Sequence, residues 1–314
     1  MHLSTVHPDA MRVRPKPLRR RWWAGRQRGL APYLFLAPFG ILFLIFFAYP
    51  VCYAFYLSLF RRYGFGGSVY VGLQNYANLV GDTRFLHALT NTTYYAAGSL
   101  FILAPLALLL ALALNSDILW MKGVYRLLFF VPYVTSAVVV SLMFVLVFDK
   151  TYGLLNNALG IARIPPVPWI ESSSWSMPSL ILLGVWTLVG VNSLYFLAGL
   201  QNVPRELVEA ARIDGATGRR VFWHILLPQL RPIITFVAVG SIIGSYNLFA
   251  QPFVLTQGGP EDSTLTLTYY LFIQGFQDFE FGYAAAIGYA IALIIIVISL
   301  GQLWALGAFR EEEL

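Results

Sequence analysis

Six stretches of the chain, near residues 33–57, 88–114, 124–148, 178–200, 232–255 and 283–307, are apolar almost throughout, and polar connections separate them. About 20 helical residues cross the ~30 Å hydrocarbon core of a bilayer, so each stretch predicts one spanning helix. Arg126 is the only formally charged residue inside them, close enough to one end for its side chain to reach the interface. The pattern predicts an all-α integral membrane protein with six transmembrane helices. Residues 1–29 read as a basic tail, 30–310 as the spanning domain and 311–314 as a short C-terminus. In the connections, Gly64–Gly67 reads as a turn and Val71–Tyr76 as the start of a short helix, while Pro165, Pro166 and Pro168 break any longer one. No internal repeat is visible.

Lys and Arg concentrate on the cytoplasmic side of membrane proteins. With both termini inside, that side holds eight in the tail, Lys122 and Arg126, five in residues 201–231, and Arg310; the outer side holds five. This asymmetry orients the chain and puts residues 201–228 in the cytoplasm.

Composition agrees with the pattern: mean hydropathy is +0.67, 58% of residues are hydrophobic and 11% are charged. The net charge of +6 does not call for nucleic acid. The tail concentrates Arg12, Arg14, Lys16, Arg19, Arg20, Arg21, Arg26 and Arg28 among prolines and ends at Trp22-Trp23, which reads as a disordered retention signal with an interfacial anchor in membrane lipid. It is not a secretory leader, because the apolar run behind it is too long and lacks a small-residue cleavage site. Cys52 is the single cysteine, so no intrachain disulfide and no cysteine metal cluster exists.

Residues 201–228 are charged and helix-forming. Pro204 suits a first helical turn, Arg205 and Glu209 share a face, and Leu207, Ala210 and Ala211 make a small apolar face. Gly215 can end that helix in the left-handed conformation. A second short helix then carries Val221, Phe222 and Ile225 until Pro228 stops it. The product is a helix–turn–helix finger that allows close approach of a partner.

The order Glu209-Ala210-Ala211, three residues, Gly215 after Asp214, nine residues, Ile225-Leu226-Leu227-Pro228 resembles the EAA loop of bacterial binding-protein-dependent ABC importers. Gly72-Leu73, Asn75-Tyr76, Asn91-Thr92, Gly153-Leu154-Leu155-Asn156, Gly258-Gly259-Pro260 and Gly282-Tyr283-Ala284-Ala285-Ala286 look like the carbohydrate permeases of that family, of the maltose and glycerol-3-phosphate type. The resemblance implies a type I (MetI-like) permease core in the bacterial inner membrane, with spans two to six shared across the family. It implies four kinds of partner contact: a second homologous permease, two ATP-binding subunits, an extracytoplasmic sugar-binding protein and lipid. It also implies that Glu206, Glu209, Ala210, Ala211, Asp214, Gly215, Ile225 and Pro228 form the ATPase-coupling surface. The chain has no Gly-x-x-x-x-Gly-Lys-Ser/Thr loop. It therefore carries no cofactor of its own, and ATP and Mg belong to the partner ATPase.

Rival classes find little support. Glu261 with Asp262, or Asp278 with Glu280, offers paired carboxylates for a membrane enzyme, but no His, Lys or metal-spaced cluster accompanies them. An ion-coupled secondary transporter needs acids within the spans, and there are none.

A neutral sugar needs hydroxyls, amides and aromatic platforms near mid-membrane. Candidates for the substrate path are Tyr133, Trp186, Asn192, Ser245, Tyr246, Asn247 and Gln251. Asn247 and Gln251 are expected to share a face, being one helical turn apart, with Gln251-Pro252 bending or ending the helix. No Lys or Arg lies mid-span to receive a phosphate. A glycerol-3-phosphate or glycerophosphodiester substrate, the alternative within the family, would need help from a partner.

Overall fold

The computed structural model describes residues 21–307 apart from 63, 65, 117 and 118, with the backbone alone for 21–31. The basic tail to Arg20, the Trp22-Trp23 side chains, Arg310 and the C-terminus 311–314 lie outside the described residues. Residues up to Ala54 form one compact unit and those from Phe55 onward another. In the first, α1 (Arg21–Phe43) runs through a π-turn (Leu44–Ala48) into α2 (Tyr49–Ser58). Helix thus begins at Arg21, inside the stretch expected to be disordered, and Pro32–Ser58 is long and apolar enough to span.

In the second unit, β1 (Phe60–Arg62) pairs antiparallel with β2 (Ser68–Tyr70), so the protein is helical but not purely so. There follow α3 (Gln74–Gly81), α4 (Thr83–Asn115), α5 (Lys122–Val134), α6 (Ala137–Val147), α7 (Leu154–Ile161), α8 (Ser173–Gln201), α9 (Arg205–Ile213), α10 (Gly218–Val221), α11 (Leu227–Gln229), α12 (Arg231–Tyr246), α13 (Ala250–Leu255), α14 (Leu267–Phe272) and α15 (Phe281–Ala305). Three single helices here match the expected spans: α4, α8 and α15. The other two are broken. α5 and α6 meet at 99° across Thr135-Ser136, three residues after Pro132. The expected 232–255 span is α12, a three-residue gap and α13. With Pro32–Ser58, four helices among the described residues are long enough to cross a membrane, and up to six spans exist if α5 with α6, and the helical segment Gly218–Gln229 with α12, are each one span.

The core follows α4. Ala88 and Ala96 pack at one end with Tyr246, Leu265, Leu267 and Ile287. Leu103 meets Leu180 and Leu183 of α8 midway, and Ala107, Ala111 and Leu114 meet Phe196, Leu200 and Leu230 at the other end. Small residues let the helices approach closely, as in membrane bundles generally. A Cβ on Gly190 would run into the carbonyl oxygen of Phe129 in α5, and one on Gly282 into that of Phe60.

Buried polar side chains tie the connections to this core. Asn75 donates to the carbonyls of Ser58 at 2.7 Å and Phe60 at 3.0 Å. Asn156 donates to Val167 O at 2.9 Å and accepts from Val167 N and Trp169 Nε1, both at 3.0 Å. Half-buried Asp82 is the most heavily used of the polar ties. One oxygen caps α4 by accepting from Arg84 N and Phe85 N, and the other accepts the hydroxyls of Tyr270 at 2.6 Å and Tyr283 at 2.5 Å. Burial alone would raise the carboxyl pKa, but the Tyr270 and Tyr283 hydroxyls and the two amides outweigh it and hold the group below its ordinary value.

Asp82→Ala removes a helix cap and two hydroxyl bonds to a charged acceptor, an expected loss of about 2–3 kcal/mol. Since the folded carboxyl is held low, its stabilisation is complete above the unfolded value of about 4 and fades as pH falls through the lower folded value. Thermal unfolding of wild type and Asp82→Asn on an acid series checks this. An equally deep acid limb in both would assign the loss to other groups.

Candidate functional site

Two places in the second unit have the form of a functional site. The first is the finger. Pro204 starts α9, and Gly215 ends it with φ +80. Ala216 N bonds Ala211 O at 2.9 Å and Gly215 N bonds Arg212 O at 3.1 Å, the paired closure of a left-handed C-cap. A Cβ on Gly215 would touch nothing, so the glycine is required by the backbone and not by crowding. No residue of α9 is buried; Glu206, Glu209, Ala210 and Asp214 are exposed, Ala211 is half-buried, and Ile213 at the tip is 86% exposed. Among the described residues, neither Glu206 nor Glu209 has an ion-pair partner. The returning strand of the finger is anchored instead: Val221 is buried, Phe222 and Ile225 are half-buried, and Leu230 is fully enclosed.

Pro228 does not stop the second helix. A π-turn over Phe222–Leu226 carries helical structure through it, and the chain bends by 65° only at Leu230. Proline in a helix clashes with the carbonyl four residues back; the wider π-turn just ahead makes room for the ring.

The second place is a cavity of about 360 Å³ between α4, α5, α8, α12 and α13. Tyr133, Asn192, Ser245 and Gln251 line it, with Tyr95, Ser99, Tyr195, Phe236 and Ser241. No charged residue is among the lining. Gln251 is buried, and its Oε1 finds no hydrogen-bond partner among the described residues. An orphan amide oxygen of that kind costs about 1–3 kcal/mol unless a ligand or water meets it. Gly240 and Gly244, four apart on α12, leave a bare stripe: a Cβ added to either would meet nothing within 4 Å among the described residues.

Three other expected path residues lie elsewhere. Trp186 packs on Phe144, ring centroids 5.1 Å apart. Tyr246 is enclosed, its hydroxyl 2.9 Å from that of Thr93. Asn247 is exposed and its amide bonds back to Ile243 O at 2.8 Å. The shared-face expectation for Asn247 and Gln251 fails because the helix ends between them: α12 stops at Tyr246 and α13 starts at Ala250. The break comes four residues before Gln251-Pro252, and the asparagine caps the end it helps to make.

That break is held by residues the sequence reading passed over. Thr268 Oγ1 donates to Tyr246 O at 2.8 Å, and Thr266 Oγ1 to Leu248 O at 2.7 Å. Thr264 donates to Gly259 O at 3.1 Å, while Leu265 and Leu267 between them are fully buried. Asn91 and Thr92 of α4 grip the same segment, by Asn91 Nδ2 to Asp262 O at 2.7 Å and Leu267 N to Thr92 Oγ1 at 2.9 Å. The alternation Thr264-Leu265-Thr266-Leu267-Thr268 was the available signal. The acidic pairs form no reactive cluster: Arg84 holds Asp262 through two bonds of 2.8 and 3.1 Å, and Asp278 accepts from Gln274.

Residues 103–309 match the model of the binding-protein-dependent transport system inner membrane component. The chain belongs to this family. These permeases include the arabinooligosaccharide permease AraP of Bacillus subtilis (strain 168), 40% identical over 98% of both chains. They also include the lactose permease LacF of Rhizobium radiobacter, 35% identical over 87% of this chain and 93% of its own. The sn-glycerol-3-phosphate permease UgpA of Agrobacterium fabrum (strain C58 / ATCC 33970) is 34% identical over 86% and 92%. A crystal structure of a bacterial ABC transporter importing the acidic polysaccharide alginate shares the fold, with a TM-score of 0.80 at 24% identity over 94% of this chain and 100% of its own. The protein is a multi-pass permease subunit of a sugar ABC importer; it is not an enzyme, and the ATPase is a separate subunit.

In this permease, Thr266→Val with Thr268→Val strands two carbonyls beside the cavity. The expected cost is about 1–3 kcal/mol for each group left unmet, read as a lower unfolding midpoint in detergent. Thr→Ser at both positions keeps the hydroxyls and should keep most of the midpoint. A double valine variant as stable as wild type would show that the two hydroxyls carry no weight.

Proposed function

We propose that the chain forms half of the translocation path for a neutral oligosaccharide or related sugar, in a six-span permease with both termini in the cytoplasm of a bacterial cell. The observation that carries this reading is the uncharged cavity with an unmet Gln251 amide, walled by hydroxyls and aromatic rings. Stacking aromatics and hydrogen-bonding groups without a fixed charge suit a sugar and not a phosphate. The arabinooligosaccharide and lactose relatives support it.

The bare Gly240–Gly244 stripe faces where a second, homologous permease would complete the path. An alginate ABC transporter crystallised with its alginate pentasaccharide-bound periplasmic protein, 26% identical and with a TM-score of 0.76 over 90% of this chain and 96% of its own, supports delivery by an extracytoplasmic sugar-binding protein. The exposed α9, with its small face and its Glu206 and Glu209 carboxylates, is the surface on which one of two ATP-binding subunits docks, and that subunit, not this chain, holds ATP and Mg.

Gln251→Leu is expected to lower uptake of the delivered sugar by roughly tenfold or more, the equivalent of one lost buried hydrogen bond at about 1.4 kcal/mol. Asn247→Ala, which alters an exposed cap outside the cavity, is expected to leave uptake near wild type. ATP-driven uptake by the complete importer in proteoliposomes, with sugar-loaded binding protein outside and ATP inside, separates them, and the opposite ranking would move the path away from the cavity.

Gly215→Val strains the turn by about 1–2 kcal/mol without any clash, so assembly in the membrane should continue. Stimulation of ATP hydrolysis by loaded binding protein should then be lost, as with Glu209→Lys. Wild-type stimulation in the assembled Gly215→Val complex would sink the coupling role of the finger.

A further inference from the structure

We propose that this permease carries a site for one anionic phospholipid in the leaflet on the finger's side, with an acyl chain in an apolar groove and the phosphate at Arg231. The groove, about 350 Å³, lies between α4, α8, the returning helix of the finger and α12. Ala104, Pro105 and Leu108 of α4 face Phe196, Trp223 and Ile234 across it, and every lining residue is apolar. It opens beside Leu109, which is 61% exposed on the outer surface of α4.

Trp223, Leu227 and Ile234 also wall a second cavity, of about 940 Å³, whose polar lining includes Gln229, Arg231 and Thr235. One side chain set therefore joins an apolar slot to a basic rim. The sequence from Gly215 to Pro260 contains Arg219, Arg220 and Arg231 and no Asp or Glu. Arg231 is exposed and has no ion-pair partner among the described residues. Arg219 and Arg220, both exposed, precede Trp223 on the same helix, outside the cavity's own lining. Trp223 itself is half exposed, with the amphipathic indole that favours the headgroup level.

A soluble anion has no use for the apolar groove, and an apolar partner helix has no use for the arginines. An amphipath with a hydrocarbon tail and a phosphate matches both, and basic pockets between helices at this level are suited to acidic lipid headgroups. The chain's own acidic run, Glu311-Glu312-Glu313, is the competing occupant of the rim. The site is independent of which sugar the permease carries.

The test uses the complete importer in a neutral detergent. Dioleoyl phosphatidylglycerol or dioleoyl phosphatidylcholine is added, with the unfolding midpoint and the lipid retained in native mass spectrometry as readouts. Phosphatidylglycerol is expected to raise the midpoint and stay bound at one copy per complex, and phosphatidylcholine to do neither. Arg231→Gln should weaken retention roughly fivefold, the share of one interfacial cation, and Arg231→Lys should restore most of it. Ala104→Phe, which fills the groove, should abolish retention in a complex of unchanged subunit composition. The proposal is overturned by equal effects of the two lipids, by retention that survives Ala104→Phe, or by glycerol phosphate alone reproducing the shift. Retention that appears only when Glu311, Glu312 and Glu313 are changed to Gln would assign the rim to the acidic run and overturn it equally.

Discussion

A backbone that stops being helical inside a membrane must find new partners for every amide and carbonyl it frees, because hydrocarbon supplies none. The gap between α12 and α13 meets this constraint with threonine hydroxyls: Thr268 takes the carbonyl of Tyr246 and Thr266 that of Leu248. Neither threonine could reach without the loop that carries it, and that loop is itself pinned by Asn91 and Thr92 of α4. The buried leucines between the threonines weld the same segment into the core. Remove this strut and α13 is placed by its packing on α6 and α8 alone. The hydrogen bonds that set where Gln251 stands in the cavity wall are then gone, and with them the precise placing of the site's most specific polar group.

Close approach does the complementary work. Gly184 lies so near the hydroxyl of Tyr95, and Gly190 so near the carbonyl of Phe129, that any larger residue would push α8 away from α4 or α5. These contacts draw three helices together, and the cavity is the space they leave where α12 offers Gly240 and Gly244 in place of side chains. Close packing and open volume thus both come from glycine, distinguished by what faces it. In the first case a neighbour is present; in the second, among the described residues, nothing lies within reach.

What was legible in the sequence was whatever depends on composition over a long stretch. The apolar runs of α4, α8 and α15 emerge as single helices because a continuous hydrophobic run has one low-energy answer in a bilayer. The finger was legible for a different reason: Gly215 and the helix-forming run before it are local signals, and the left-handed turn needs no distant partner. The exact positions of the breaks were less legible. The gap after Tyr246 is held by hydroxyls far along the chain and falls four residues before the break expected at Gln251-Pro252, while the bend at Thr135-Ser136 follows Pro132, with Thr135 bonding back to Val131 O. Pro228 misled in the opposite direction, since the π-turn over Phe222–Leu226 that accommodates it leaves no clear mark in residue type. The asparagines read as family strings prove to be hydrogen-bonded staples for connecting segments, as with Asn75 and Asn156.

Geometry also limits how the finger can act on the path. α9 touches the rest of the unit little and buries nothing, whereas the returning helix is fixed at Val221 and at Leu230, the point of the 65° bend into α12. Leu230 packs with Leu200 and Leu114, at the ends of α8 and α4, so the bend is seated on the two helices that form the centre of the bundle. A force on α9 reaches the spans through that seat and not through a flexible linker, since Leu230 is the only non-helical residue between Val221 and Tyr246. From there α12 carries it directly to Gly240, Gly244 and Ser245 in the cavity wall. The gap after Tyr246 then sets the far limit of the rigid segment. α12 is continuous up to its capped end at Asn247, and there the threonine strut bonds both its last carbonyl, Tyr246 O, and that of Leu248, tying the end of α12 and the start of α13 to one segment and through it to α4. The glycine stripe and the Gln251 amide are therefore joined across the gap by hydrogen bonds in place of helix, and a force arriving along α12 reaches both walls of the cavity.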